Sequence, residues 1–185
     1  MSKIFFTSDL HFGHKNILSY DNRPFLTTEA NDEAIIKNWN DKVGIEDTVW
    51  ILGDVSWHNV TKTNEILTSL NGNKNLIIGN HDGKLLRNSE FRSLFNEIAN
   101  YKEIPYGSTN IVLCHYPIPC FNRHYYGDYH LYGHVHISFE YNMMKHIKQE
   151  MVDLYDKPCN MYNAFIGLYD WAPATLEEII ERNEK

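Results

Sequence analysis

The sequence predicts an α/β protein, and three observations carry that prediction. Five short apolar runs recur, each followed at once by polar, glycine or histidine residues. Amphipathic stretches at helical spacing separate several of them. No Gly/Ser-rich or Pro-rich linker and no repeat of about 20–50 residues interrupts the chain, so we expect one domain over residues 1–185.

Lys3–Thr7 reads as the first buried strand. Thr28–Val43 reads as a helix, with Ala34, Ile35 and Trp39 at helical spacing behind a capping-box-like start at Thr28–Asn31. Thr48–Leu52 is a second strand and Val60–Leu70 a second helix, through Ile66, Leu67 and Leu70. Asn75–Ile78 is the third strand. Ser89–Ile98, with Phe91, Leu94, Phe95 and Ile98, reads as one amphipathic helix. Asn110–Cys114 and His130–Tyr132 are further strands. Glu140–Tyr155 is a long helix with Met143, Met144, Ile147, Met151 and Leu154 on one side. Asn163–Leu168 reads as a strand, and Pro173 opens a last helix through Leu176, Ile179 and Ile180.

Composition narrows the function. Lys and Arg total 17 against 24 Asp and Glu, a formal charge of −7, and there are 10 His. Duplex DNA is a poor partner for such a chain, because neutralising phosphates requires clustered cations. With 43% hydrophobic and 14% aromatic residues the chain can pack an interior, so global disorder is excluded. The opening MSKIFFTSDL reaches Asp9 after a very short apolar run. We therefore expect no signal peptide, no membrane span and a cytoplasmic setting. Cys114, Cys120 and Cys159 are odd in number and lack CxxC spacing, which argues against a disulfide framework or a thiolate zinc site.

Chemistry-bearing residues sit just after the apolar runs. Asp9 and His11 stand two apart at a strand end, where period-two geometry points both side chains to one face. His134 and His136 repeat that spacing. Between them come Gly53-Asp54, Gly79-Asn80-His81-Asp82 and Cys114-His115-Tyr116-Pro117. In an open α/β sheet, ligands bind outside the carboxyl ends of the strands, so these clusters should converge. The convergent set is oxygen and nitrogen without thiolate, suited to Mn(II), Fe, Zn or Ni. Seven such residues exceed the needs of one tetrahedral ion but suit two ions sharing a carboxylate, with Asp54 the natural bridge. Phosphoester hydrolysis is the chemistry such a pair serves.

The order of these motifs resembles the calcineurin-like metallophosphoesterase superfamily. The resemblance implies a fold of two stacked mixed β-sheets flanked by helices, a four-layer sandwich. It implies two divalent ions, Mn(II) first among them. Asp9, His11, Asp54 and His136 would hold one ion, and Asp54, Asn80, His115 and His134 the other, with a bridging hydroxide as nucleophile. His81 would be the general acid, with Asp82 tuning or orienting it through a hydrogen bond. The opening SDLHFGHKNILSYDNRPF and the close NMYNAFIGLYDWAPATLEEI are similar to a group of small bacterial and phage phosphoesterases. In that opening, His14 and Arg23 are candidate substrate contacts, Arg23 as a phosphate clamp through its planar fork.

Departures from relatives refine the expectation. After Gly53-Asp54 comes Val55-Ser56-Trp57 and not the Asp-Arg-Gly of Ser/Thr protein phosphatases and symmetrical diadenosine-tetraphosphate hydrolases. Several small phosphodiesterases carry Cys where this chain keeps His81. The expected substrate is a small phosphorylated molecule, nucleotides included, as mono- or diester. Two alternatives stay open: a nuclease that processes RNA ends, and a catalytically silent metal-binding scaffold. Outside the motifs, His58, His124, His130 and His146 read as surface or packing residues. The stretch Cys120–Tyr126 reads as loop packing, with Arg123 the residue that could hold phosphate. Glu140–Tyr155 reads as a helix packed on the sheet, with a cap over the site as the alternative.

Overall fold

The computed structural model describes residues 2–184. Eight strands form two sheets. In the first, β1 (Ile4–Thr7), β2 (Thr48–Ile51), β3 (Asn73–Ile77) and β4 (Ile98–Ala99) run parallel in that order. In the second, β5 (Tyr101–Tyr106) pairs antiparallel with β6 (Thr109–Cys114), and β7 (Tyr129–Tyr132) and β8 (Asn160–Asn163) follow in parallel. The named strands of the first sheet are all parallel, and Ala174 adds an antiparallel bridge to Phe6 at the β1 edge, while the second sheet mixes both senses among its strands.

Side-chain alternation along the strands builds the layers. On β1, Phe5 faces helices α2 (Thr28–Lys42) and α3 (Val60–Ser69), while Phe6 faces the other sheet. Leu76 and Ile77 divide in the same way on β3. In the second sheet Ile111 and Leu113 point between the sheets, and Val112 points to α5 (Phe139–Tyr155) with Tyr132 and Met161. The result is helix, sheet, sheet, helix, with an apolar seam at each of three contacts. Strands buried on both faces read as continuous apolar runs, which is why they were visible in the sequence.

Helices α2 and α3 start at side-chain caps. Thr27 accepts from the Ala30 N–H and Asn59 from the Lys62 N–H. At α6 (Leu176–Asn183), Thr175 and Glu178 form a reciprocal capping box. That helix packs Leu176 and Ile179 into the seam between the sheets.

Three expectations change. Ser89–Ile98 is not one helix: α4 spans Ser89–Ser93, and the chain then turns so that Ile98 and Ala99 pair with Leu76 and Ile77. Sheet pairing overrides an apolar spacing that suits a helix equally well. Asn163–Leu168 is not a strand, because β8 ends at Asn163 and Ile166–Leu168 is a short 3-10 turn. A short helix α1 (Ile17–Tyr20) and strand β5 were not anticipated. β5 carries Lys102, Glu103 and Pro105 because it is an edge strand with a partner on one side only. Among the described residues no helix is long and apolar enough to cross a membrane, and all three cysteines are free thiols.

Candidate metal centre

Parallel strands deliver the five motifs to one end of the molecule. β1 leads to Asp9 and His11, β2 to Asp54, β3 to Asn80 and His81, β6 to His115, and β7 to His134 and His136. Strand pleating does not aim Asp9 and His11, contrary to the expectation from their spacing. β1 stops at Thr7, and both residues lie in left-handed turns with φ of 56° and 50°. Asp54, His134 and His136 share that conformation, with φ of 57°, 70° and 45°. It is unfavourable for residues with a Cβ, and such strain survives only where surrounding structure imposes it. Here the imposing contacts are hydrogen bonds. Asp9 N–H donates to the Gly53 carbonyl, His11 N–H to the Asp54 carbonyl, and His134 N–H to the Asp9 carboxylate.

Two motif glycines are required by close approach. A Cβ on Gly79 would lie 2.3 Å from Asp54 Oδ1, and one on Gly133 would lie 2.6 Å from Asp9 Oδ2.

The donor atoms meet closely. Those of Asp9, His11 and His136 lie within 4.8 Å of one another, as do those of Asp9, Asp54 and His115. His11 Nε2 is 3.2 Å from His136 Nε2, and His136 Nε2 is 3.4 Å from Asp9 Oδ1. Asp54 Oδ2 lies 3.8 Å from His11 Nε2, 3.7 Å from His115 Nε2 and 3.9 Å from His81 Nε2. Asn80 Oδ1 is 2.9 Å from both His115 Nε2 and His134 Nδ1.

Hydrogen bonds fix which nitrogens are free. His115 Nδ1 donates to the Leu52 carbonyl at 2.7 Å, which leaves its Nε2 lone pair aimed at Asn80 Oδ1. Two acceptors facing each other at that distance suit a cation between them. His136 Nδ1 sits 2.7 Å from Asp21 Oδ1, so its Nε2 is the nitrogen presented to Asp9 and His11. A histidine ligand backed by a carboxylate is the usual arrangement around a bound metal. The residues present therefore fit a pair of divalent cations.

Electrostatics point the same way. Burial works against the Asp9 carboxylate, yet the charges of His136, His115 and His11 outweigh it and hold its pKa well below the ordinary range. Burial pushes Asp54 up to about 6. For His136 burial is overcome by the Asp9 charge and by hydrogen bonds to Asp21 and Asp9, which raise it to about 10. Without cations, protons do the neutralising.

Asp21, Arg23 and Asn163 complete the support. Arg23 was expected to clamp substrate phosphate, and the structure overturns that. Its guanidinium is buried, bonded to the carbonyls of Asp9 and Leu10, to Asn31 Oδ1 and to the Asp21 carboxylate. No donor is left to meet a ligand. Asp82 was expected to orient His81 through its side chain, and instead it is fully buried and accepts the N–H groups of Asp54, Val55 and Gly79. It ties the β2 loop to the β3 loop. Asn163 donates to the His136 carbonyl. Neither Asp21 nor Asn163 was singled out from sequence; each lies far along the chain from His136, and no local spacing signals the contact.

The remaining expectations divide. His81 is exposed, with its backbone N–H bonded to Asp54 Oδ1. His14 stacks on Trp57 at 4.1 Å, and Trp57 in turn contacts His81 at 4.3 Å. Arg123 pairs with Asp128 and lies over the Tyr126 ring, and none of its contacts reaches the centre. His58 pairs with Asp32, and His130 is fully buried between Val112 and Ile118. Helix α5 packs Tyr141, Met144 and Met151 on the second sheet. Its first turn, with Ser138 and Glu140, borders a cavity of about 370 Å³ that reaches His134, His136 and Asp21.

A profile of the calcineurin-like phosphoesterase family matches residues 2–143, a span that holds every one of these ligands. The chain belongs to that family. It is a metal-dependent phosphoester hydrolase by kinship. The uncharacterized protein MJ1445 of Methanocaldococcus jannaschii is 31% identical over 100% of this chain and 93% of its own length. The gene 66 protein of Mycobacterium phage L5 is 34% identical over 63% of this chain and 64% of the phage protein. Among solved structures, the Aquifex aeolicus protein of unknown function AQ665 superposes with a TM-score of 0.73 at 28% identity, covering 98% of this chain and 99% of that one.

Proposed function

We propose that this calcineurin-like phosphoesterase hydrolyses small phosphate esters, phosphodiesters and nucleotide-type substrates included, at two divalent cations. Asp9, His11, Asp54 and His136 hold one, and Asp54, Asn80, His115 and His134 the other. The observation that carries the reading is the position of Asp54 Oδ2, which lies between His11 Nε2 and His115 Nε2 at 3.8 and 3.7 Å. Asp9 also belongs to both donor groups, but its two oxygens receive the His134 N–H. Asp54 Oδ1 is taken by His81 N–H, and Oδ2 is free to be shared.

When bound, the cations would supply a nucleophilic water and neutralise charge on the phosphoryl oxygens. The oxygen and nitrogen donors suit Mn(II) first, then Fe, Zn or Ni. His81, exposed beside Asp54, is placed to protonate the leaving oxygen. Free thiols and the surplus of acid fit a reducing cytoplasmic setting and a substrate other than duplex DNA.

The test uses bis-p-nitrophenyl phosphate. Wild type should turn over only with added Mn(II) and lose activity to chelator, while Asp54→Asn and His136→Ala should lose at least about a hundredfold, as expected when metal ligands are removed. Wild-type rates in both variants, or full activity in chelator, would sink the assignment. A scaffold without catalysis would show metal binding and no turnover of any ester.

A further inference from the structure

Two cavities flank the centre, and they differ in charge. The one beside His134 and His136 is lined by the carboxylates of Asp21 and Glu140 and by no lysine or arginine. The other, of about 270 Å³, is lined by Ser56, Trp57, His58, His81, Lys84 and Leu85, with no carboxylate among them. Its nearest acids are already spent: Asp32 is bonded to His58, to the Gly13 N–H and to Asn31, and Asp82 to three backbone N–H groups. Lys84 is exposed and has no carboxylate partner among the described residues.

We propose that the second cavity is a subsite for leaving groups that carry a negative charge of their own, a carboxylate or a further phosphate, with Lys84 as the residue that selects them. The inference rests on the phosphoesterase reading above, in which His81 serves the leaving oxygen. Whatever His81 protonates must lie on its side of the phosphorus, and that side is this cavity. In the reaction, the bond from phosphorus to the leaving oxygen breaks with its electron pair going to that oxygen. A bond from phosphorus to water oxygen forms. The leaving oxygen takes its proton from His81, which regains one of the water protons through solvent. The departing group then sits against the Trp57 and His81 rings, 4.3 Å apart, with Lys84 at the open side. A second anion on that group meets a cation there, whereas in the other cavity it would meet Asp21 and Glu140.

The test compares methyl 4-nitrophenyl phosphate with two analogues whose leaving phenol carries a ring carboxylate or a ring phosphonate, all assayed with Mn(II). The quantity read is the ratio of kcat/KM for each charged analogue over the plain ester. Lys84→Met should lower that ratio about fivefold, the scale of one exposed charge contact, and Lys84→Arg should keep it. Added salt should shrink the wild-type ratio and leave that of Lys84→Met nearly flat. A fall with one analogue alone identifies which anion the subsite takes. Ratios that do not move in Lys84→Met, with metal-dependent turnover of all three esters intact, overturn the subsite and leave the phosphoesterase reading standing. Absence of metal-dependent turnover with every ester in wild type overturns that reading and the subsite with it.

Discussion

The two halves of the centre are held by different forces. Asp9 and His11 are buried and His136 is half-buried, all within a network of charge. Asp21 accepts a hydrogen bond from His136 Nδ1, Arg23 neutralises Asp21 and grips the Asp9 carbonyl, and Phe165 stacks on the His136 ring. The other half leans on neutral backbone. The Leu52 carbonyl fixes His115, while Asn80 and His134 stand exposed. A buried ion network is hard to alter one member at a time, because removing one charge strands another. The exposed members of the other half, Asn80 and His134, carry no such penalty. The first half is therefore part of what makes the fold stable, and the second is closer to a pure binding device.

The largest expected effect follows from that contrast. Arg23→Met takes the guanidinium from Asp21, which keeps only His136, and leaves the buried carbonyls of Asp9 and Leu10 without that donor. We expect a loss of about 3–5 kcal/mol in the metal-free protein, read as a lower denaturant midpoint. His134→Asn, in the other half, keeps a residue type that tolerates the left-handed backbone and removes only an exposed ring. It should shift stability by about 0.5 kcal/mol or less while weakening cation binding. Equal shifts for the two variants would erase the distinction between the halves.

A smaller effect separates the halves by affinity. Asp21→Asn keeps the shape of the side chain but replaces the carboxylate behind His136 with a neutral amide. Loss of such a supporting carboxylate typically weakens metal affinity about 10–100-fold. In a calorimetric titration with Mn(II), one of two binding steps should weaken by that amount and the other should hold. Both steps moving together would mean that the cations bind as a single unit and that the supports are shared.

The sequence showed one half of this picture better than the other. Apolar strands such as Thr48–Leu52 are legible because they are buried on both faces, and the ligand residues follow them directly. The reason given for the pairing of Asp9 with His11 was nonetheless wrong, since left-handed turns and not strand pleating aim the side chains. Arg23 shows a deeper limit. A guanidinium near a phosphate-handling site is chemically suited to phosphate, and only the fold reveals that its donors are taken by carbonyls 13 and 14 residues upstream. Asp21 lies 115 residues from His136, so no spacing rule could join them. Asp82 sits beside His81 in the chain, yet its carboxylate turns inward to backbone N–H groups. The candidate ligands were legible because they cluster by motif. Their supports were not, because they are chosen by three-dimensional contact.

The remaining effect is one of pH, and it tests the charged half through His136. Despite its burial, His136 is raised to about 10 by Asp9 and Asp21, against 6.5 for an ordinary histidine. Extra proton binding in the folded state stabilises it fully below pH 6.5, and that contribution is lost as pH rises through 10. The Asp54 carboxyl, raised to about 6, has already lost its own contribution by then. In chelator, Tm should therefore decline steadily from pH 6.5 to 10. Asp21→Asn should flatten the decline, since it removes one of the two carboxylates that hold the proton. Saturating Mn(II) should also flatten it, because a cation on Nε2 displaces the same proton and makes binding tighter as pH rises. A decline of equal slope in chelated wild type, chelated Asp21→Asn and the Mn(II)-loaded protein would place the responsible group outside the centre. It would also remove the electrostatic half of the contrast between the two ligand sets.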